Sequence, residues 1–185
     1  AHGFAQYGTP EGRPVFYFAG GNSSRYEGRW FDQAAQRLNI NLVVPDRPGF
    51  GLSDYQAGRR FLDWPDDVAQ LADSLHLDSF AVFGLSGGAP HVAAVAHEMR
   101  ERLARAAIIS GVAPPEMPDR FKGMWPPIRL IFFFARRLPW LNRIVLKQMG
   151  AFYANREQML NQMTRALPEP DVRLINERPE IIEIF

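Results

Sequence analysis

Ser86 stands inside Gly84-Leu85-Ser86-Gly87-Gly88, a G-x-S-x-G spacing that turns a strand into a helix too sharply for side chains at the flanking positions. A serine presented on such a turn is a candidate nucleophile. Its hydroxyl attacks a carbonyl only when a base takes its proton, and the oxyanion that forms needs hydrogen-bond donors aimed at it. The turn supplies one donor, the Gly87 backbone N–H, at the start of a helix whose dipole favours negative charge. The second is expected from Ala19-Gly20-Gly21-Asn22-Ser23-Ser24-Arg25, where adjacent glycines let the backbone approach closely, and Gly21 is the position assigned. The chemistry these residues support is acyl transfer through a Ser86 acyl-enzyme.

A base is harder to find. The histidines are His2, His76, His91 and His97. His91 falls on a different part of the first helical turns from Ser86, so its side chain is expected to pack under a lid or against the sheet. His76 and His97 read as helix-surface residues, and His2 has no evident path to the turn. Among the acids, Asp46 reads as the residue that ties its own Gly-rich loop together, Asp54 shares that loop, and Glu116 is separated from the preceding strand by two prolines.

The elements that would position Ser86 follow from the hydrophobic pattern. Val15 to Phe18, Ile40 to Val44, Phe80 to Phe83 and Ala106 to Ile109 are apolar almost throughout, which suits strands covered on both faces of a parallel sheet. Between them lie helical stripes, Trp30, Phe31, Ala34, Ala35 and Leu38, then Trp64, Val68, Leu71, Ala72 and Leu75, with Asp63 as N-cap and Pro65 in the first turn. A third helix begins just after Ser86. This alternation predicts a doubly wound α/β domain with a mostly parallel sheet, whose site lies at the C-terminal strand ends.

After Pro115 the prolines and purely helical patterns mark a second layer, so a core over 1–115 and a helical cap over 116–185 are expected. Asn155 with Gln158 resembles a capping box for a helix with the stripe Met159, Leu160, Met163, Ala166 and Leu167. The cap offers apolar walls to a substrate, and Phe132 and Trp140, with Asn22 of the first loop, are taken as the substrate contacts.

Bulk composition excludes several other functions. The 185 residues are 46% hydrophobic, enough for a buried core, and 21 basic against 20 acidic residues leave no basic face for nucleic acid. There is no cysteine, which removes disulfides and thiol chemistry and favours a reducing, cytoplasmic home. The run Ile128 to Ala135 is too short to span a bilayer and contains Arg129. No signal peptide is visible. Neither G-x-G-x-x-G nor a P-loop occurs, and no cofactor or metal is implied.

Three ordered motifs resemble the α/β-hydrolase family, in its capped, serine-nucleophile branch of esterases and proline-iminopeptidase-like enzymes. They are the elbow, the loop Ala19 to Arg25 that keeps Gly20, Ser24 and Arg25 of the family pattern, and Asp46-Arg47-Pro48-Gly49-Phe50-Gly51-Leu52-Ser53. The resemblance implies a serine hydrolase acting on a small ester or amide with an apolar acyl or leaving group. It also implies the order Ser, acid, His, with the last two on loops after strands that follow the cap. The triad acid and histidine are therefore expected beyond Phe185 or on a second chain, and the isolated chain is expected to be inactive. A non-catalytic relative that binds an apolar ligand under its cap is the alternative. Oligomeric state is left open.

Overall fold

The computed structural model describes residues 3–21, 23–114, 116–124, 126–153, 165 and 167–177. They form two compact units, Ala1–Val112 and Ala113–Phe185. The first holds a five-stranded sheet in the order β1-β3-β2-β4-β5, built from β1 (Phe4–Gly8), β2 (Arg13–Phe18), β3 (Ile40–Pro45), β4 (Phe80–Leu85) and β5 (Leu103–Ile109). β2 runs parallel to β3 and β4, and β4 parallel to β5, while β1 joins the other edge of β3 antiparallel.

The unbroken apolar runs are explained by cover on both faces. Phe16, Phe18, Val43, Phe80 and Val82 point to one face, where they meet Trp64, Val68, Leu71 and Ala72 of α2 (Trp64–Ser74) and Val92 and Val95 of α3 (Ala89–Glu98). Tyr17, Ala19, Leu42 and Val44 point to the other, against Ala35 of α1 (Asp32–Arg37), with Phe31, Phe83 and Leu85 around them. Fully burying side chains of this size stabilises by about 1.5–3 kcal/mol each. Aromatic contacts lock both layers, with Phe18 edge-on to Trp64 at 5.4 Å and Tyr17 stacked on Phe83 at 4.6 Å.

Three local expectations are corrected, and one strand is new. The stripe from Trp30 to Leu38 is not one helix: a 3-10 helix at Arg25–Phe31 precedes the short α1, and Leu38 is exposed. Its tight first part has a reason, because Gly28 must turn inward beside Tyr7 and Val44, and Glu27 toward Tyr17 and Gly20. Asp63 precedes α2 without capping it through its side chain; that carboxylate accepts instead from the Arg60 N–H at 2.7 Å. β1 was not anticipated. β5 is not covered on both faces: Ala104 through Ile109 are exposed, and β5 is an edge strand with no outer neighbour among the described residues.

The second unit begins with turns over 116–123 and then holds the helices α4 (Pro126–Arg137), α5 (Pro139–Tyr153) and α6 (Glu169–Glu177). α4 and α5 both begin on proline, whose fixed φ and missing N–H suit a first helical position. The Asn155/Gln158 capping box and most of its stripe lie outside the described residues.

Candidate active site

β4 ends at Leu85, a 3-10 turn covers Ser86–Gly88, and α3 starts at Ala89 with Pro90 in its first turn. Ser86 has φ +51, a left-handed conformation that costs a residue with a Cβ roughly 1–2 kcal/mol. The two framing glycines make that reversal possible. A Cβ on Gly84 would stand 2.8 Å from Val92 Cγ2 and 2.9 Å from the Gly88 carbonyl carbon, and one on Gly88 would collide with the Phe18 carbonyl oxygen. Ser86 itself is exposed, and its carbonyl accepts from Val112 N at 3.3 Å, which ties the segment after β5 to the turn.

The residue after Ser86 lies against the first loop. A Cβ on Gly87 would stand 2.7 Å from both Gly21 N and Gly21 Cα, so the two backbones pass with no room for a side chain, whereas a Cβ on Gly21 would meet nothing within 4 Å. The structure thus brings Gly21, Ser86 and Gly87 together at the C-terminal ends of β2 and β4. Asn22 lies outside the described residues. Phe132 and Trp140 belong to the second unit, where both are exposed.

The first loop is held by buried charges that the sequence did not single out. Glu27 is 4% exposed and Arg47 9%. Glu27 Oε2 accepts from the Tyr17 hydroxyl at 2.8 Å and from Gly20 N at 2.7 Å. Arg47 Nη2 donates to the carbonyls of Gly20 (2.6 Å), Gly21 (3.1 Å) and Ser23 (3.1 Å). Burial pushes the Tyr17 phenol well above its ordinary range, and the neighbouring Glu27 charge adds to it, so Tyr17 stays a donor. Burial works against the Arg47 cation, and Glu27 and Asp46 oppose that effect.

Asp46 does what a Gly-rich rim loop requires. Its fully buried carboxylate accepts from Arg25 N (2.7 Å), Arg25 Nη1 (2.6 Å) and Leu52 N (3.0 Å). Ser53 Oγ donates to the Asp46 carbonyl at 2.8 Å and accepts from Gly3 N at 2.9 Å. Gly51, at φ +52, leaves the space that the Asp46 carboxylate fills.

Of the described histidines, His76 and His97 are exposed. His91 lies edge-on between Phe61 and Trp64, at ring distances of 5.2 and 5.4 Å. Its pKa is pushed down to about 4, first by burial and then by the Arg47 charge, with the Gly87 carbonyl opposing. His91 and Trp64 line a cavity of about 420 Å³ together with Arg47, Phe50, Arg59 and Phe61. The Arg59 guanidinium in that wall is engaged by Asp67, Gln56 and the Asp63 carbonyl. Glu116 is exposed. Among the described residues, no group of His, Asp and Glu is placed to hold a metal, and no helix is long and apolar enough to cross a membrane.

A family model for the alpha/beta hydrolase fold matches residues 2–183. A curated relative, the uncharacterized hydrolase YcgS of Bacillus subtilis (strain 168), is 26% identical over 104 residues, 56% of this chain and 36% of that protein. A thermophilic esterase from Thermogutta terrifontis has a similar structure, with TM-score 0.60 and 24% identity over 98% of this chain and 58% of that one. A putative aryl esterase from Burkholderia cenocepacia matches with TM-score 0.52 and 27% identity over 62% of this chain and 47% of its own. The chain spans less than two thirds of the length of each of these relatives.

Proposed function

This chain belongs to the alpha/beta hydrolase fold family, and we propose that it carries the nucleophile and oxyanion half of a serine hydrolase. Ser86 Oγ attacks the carbonyl carbon of an ester or amide, and the N–H groups of Gly87 and Gly21 receive the oxyanion. Collapse expels the alcohol or amine and leaves an acyl-Ser86, which water then hydrolyses. The observation that carries this reading is the turn itself: a left-handed Ser86 whose following residue touches the Gly21 backbone. Losing one oxyanion donor typically slows such a reaction by 10²–10³.

The triad histidine and acid belong, in this proposal, to residues beyond Phe185 or to a second chain. Two observations support that placement. His91 packs edge-on against Phe61 and Trp64, and the chain spans only part of the length of its relatives. The second unit is assigned the role of a cap whose Phe132 and Trp140 meet the apolar part of the substrate. Esterase activity is the reading the Thermogutta terrifontis and Burkholderia cenocepacia proteins favour. The absence of cysteine suits a cytoplasmic protein.

The test is hydrolysis of p-nitrophenyl esters of increasing acyl length, by residues 1–185 and by the protein translated through its whole reading frame. Turnover by the longer protein, lost in Ser86→Ala, with little by residues 1–185, is expected. Turnover unaffected by Ser86→Ala removes the proposal, and full turnover by residues 1–185 removes the placement of acid and base.

A further inference from the structure

The loop that presents Gly21 is gripped from two sides by groups of opposite charge. Glu27 takes the Gly20 N–H, and Arg47 takes the carbonyls of Gly20, Gly21 and Ser23. A trans peptide sets its C=O and N–H on opposite sides, and there is no cis bond among the described residues. Fixing the Gly20 carbonyl on Arg47 therefore turns the Gly21 N–H away from Arg47. The glycines themselves are soft: a Cβ on Gly21 meets nothing within 4 Å, and one on Gly20 comes no nearer than 3.4 Å to Glu27 Oε1. Side-chain packing at these glycines is slight, so beside the Gly87 backbone and the Ser23 N–H on the Gly20 carbonyl at 3.2 Å, the charged grip is what fixes the peptides. The Tyr17 hydroxyl, on the same oxygen of Glu27 as the Gly20 N–H, fixes the carboxylate in turn.

We infer that Glu27 and Arg47, with Tyr17 behind Glu27, are positioning residues that set the direction of the Gly21 N–H, and so the strength of the oxyanion site; this rests on the proposed roles of Ser86, Gly21 and Gly87. Neither side chain is assigned a contact with substrate. Glu27 acts on Gly20 and Arg47 on the carbonyls, and the effect reaches the reaction only through the Gly21 amide. Two buried groups of opposite sign serve better than neutral ones, because charge-assisted hydrogen bonds are shorter and stiffer, and each charge compensates the other where water is excluded.

The test compares wild type, Glu27→Gln and Arg47→Lys in the protein translated through its whole reading frame. Glu27→Gln keeps the shape and an acceptor but removes the charge facing Arg47. Arg47→Lys keeps the charge but carries it on a shorter stem, which leaves the ammonium short of the point where Nη2 meets all three carbonyls. The readouts are the second-order rate of fluorophosphonate labelling at Ser86 and the amide proton shift of ¹⁵N-labelled Gly21 before and after the adduct forms. Wild type is expected to label and to shift Gly21 downfield as its N–H meets the phosphonyl oxygen. Both variants are expected to label about 10–100-fold more slowly, in line with the cost of small misplacements at such sites, with a reduced Gly21 shift at unchanged circular dichroism. Labelling and Gly21 shift equal to wild type in either folded variant overturn the clamp and leave the nucleophile standing. Failure of wild type itself to label at Ser86 overturns the proposed nucleophile, and the clamp with it.

Discussion

Gly87→Ala separates the roles of fold and site most sharply. The new methyl would stand 2.7 Å from Gly21 N and Gly21 Cα, well inside the 3.4 Å at which ordinary contact begins. The first loop must yield by several tenths of an ångström, and Arg47 and Glu27 resist that shift with bonds of 2.6–3.1 Å. Overpacking of this kind costs about 1–3 kcal/mol, which in a chain of this size lowers Tm by roughly 3–10 °C. The consequence for reactivity is larger, because the methyl sits beside one donor and displaces the other; loss of a donor corresponds to about 10²–10³ in rate. Gly21→Ala is the control. Its Cβ has open space and its φ is not left-handed, so stability should stay within about 0.5 kcal/mol. Urea unfolding followed by tryptophan fluorescence reads the first effect, and fluorophosphonate labelling of Ser86 reads the second. Gly87→Ala with wild-type stability and labelling rate would refute the close approach on which the oxyanion assignment stands.

Three further outcomes follow from the same contacts. Gly88→Ala should fail to fold or lose more than about 4 kcal/mol, because its Cβ meets the Phe18 carbonyl at the end of a central strand; soluble yield and Tm check it. Asp46→Asn should lose about 3 kcal/mol in urea, since it leaves the buried Arg25 guanidinium without its counter-charge. His91 makes stability depend on acid. Its pKa is depressed from 6.5 to about 4 in the folded chain, so between those values the unfolded chain binds the extra proton. Stability should therefore fall as pH drops through that window, by up to about 3 kcal/mol, and His91→Phe should flatten that part of a pH series of urea midpoints.

How much of this could be read from residues alone depended on whether the cause was local. β2, β3 and β4 were legible because strands covered on both faces must be apolar throughout, and Phe16, Tyr17 and Phe18 are all buried. The elbow was legible because a reversal that tight admits only glycine at Gly84 and Gly88, and the Asp46 loop because Gly51 must give way to its own neighbour's carboxylate. β1 was not, since Phe4-Ala5-Gln6-Tyr7-Gly8 is short and mixed, and its place is set by distant partners, β3 along its length, the Arg25 carbonyl on Tyr7 and the Asp32 carboxylate on Gly8. β5 was misjudged because apolar composition states what a strand can bury, not what covers it. Glu27 was missed for a similar reason. A glutamate between Tyr26 and Gly28 looks solvated, and only the placement of the Tyr17 hydroxyl, Gly20 N–H and Arg47 around it makes burial tolerable.

The most direct test is peptide mass spectrometry of the protein, translated through its whole reading frame, after treatment with a fluorophosphonate. One adduct on Ser86, lost in Ser86→Ala and slowed about 10²–10³-fold in Gly87→Ala, is the result expected of a nucleophile served by two backbone donors. An unmodified Ser86 in the folded wild-type protein, or an adduct that forms at the same rate in Gly87→Ala, would contradict it.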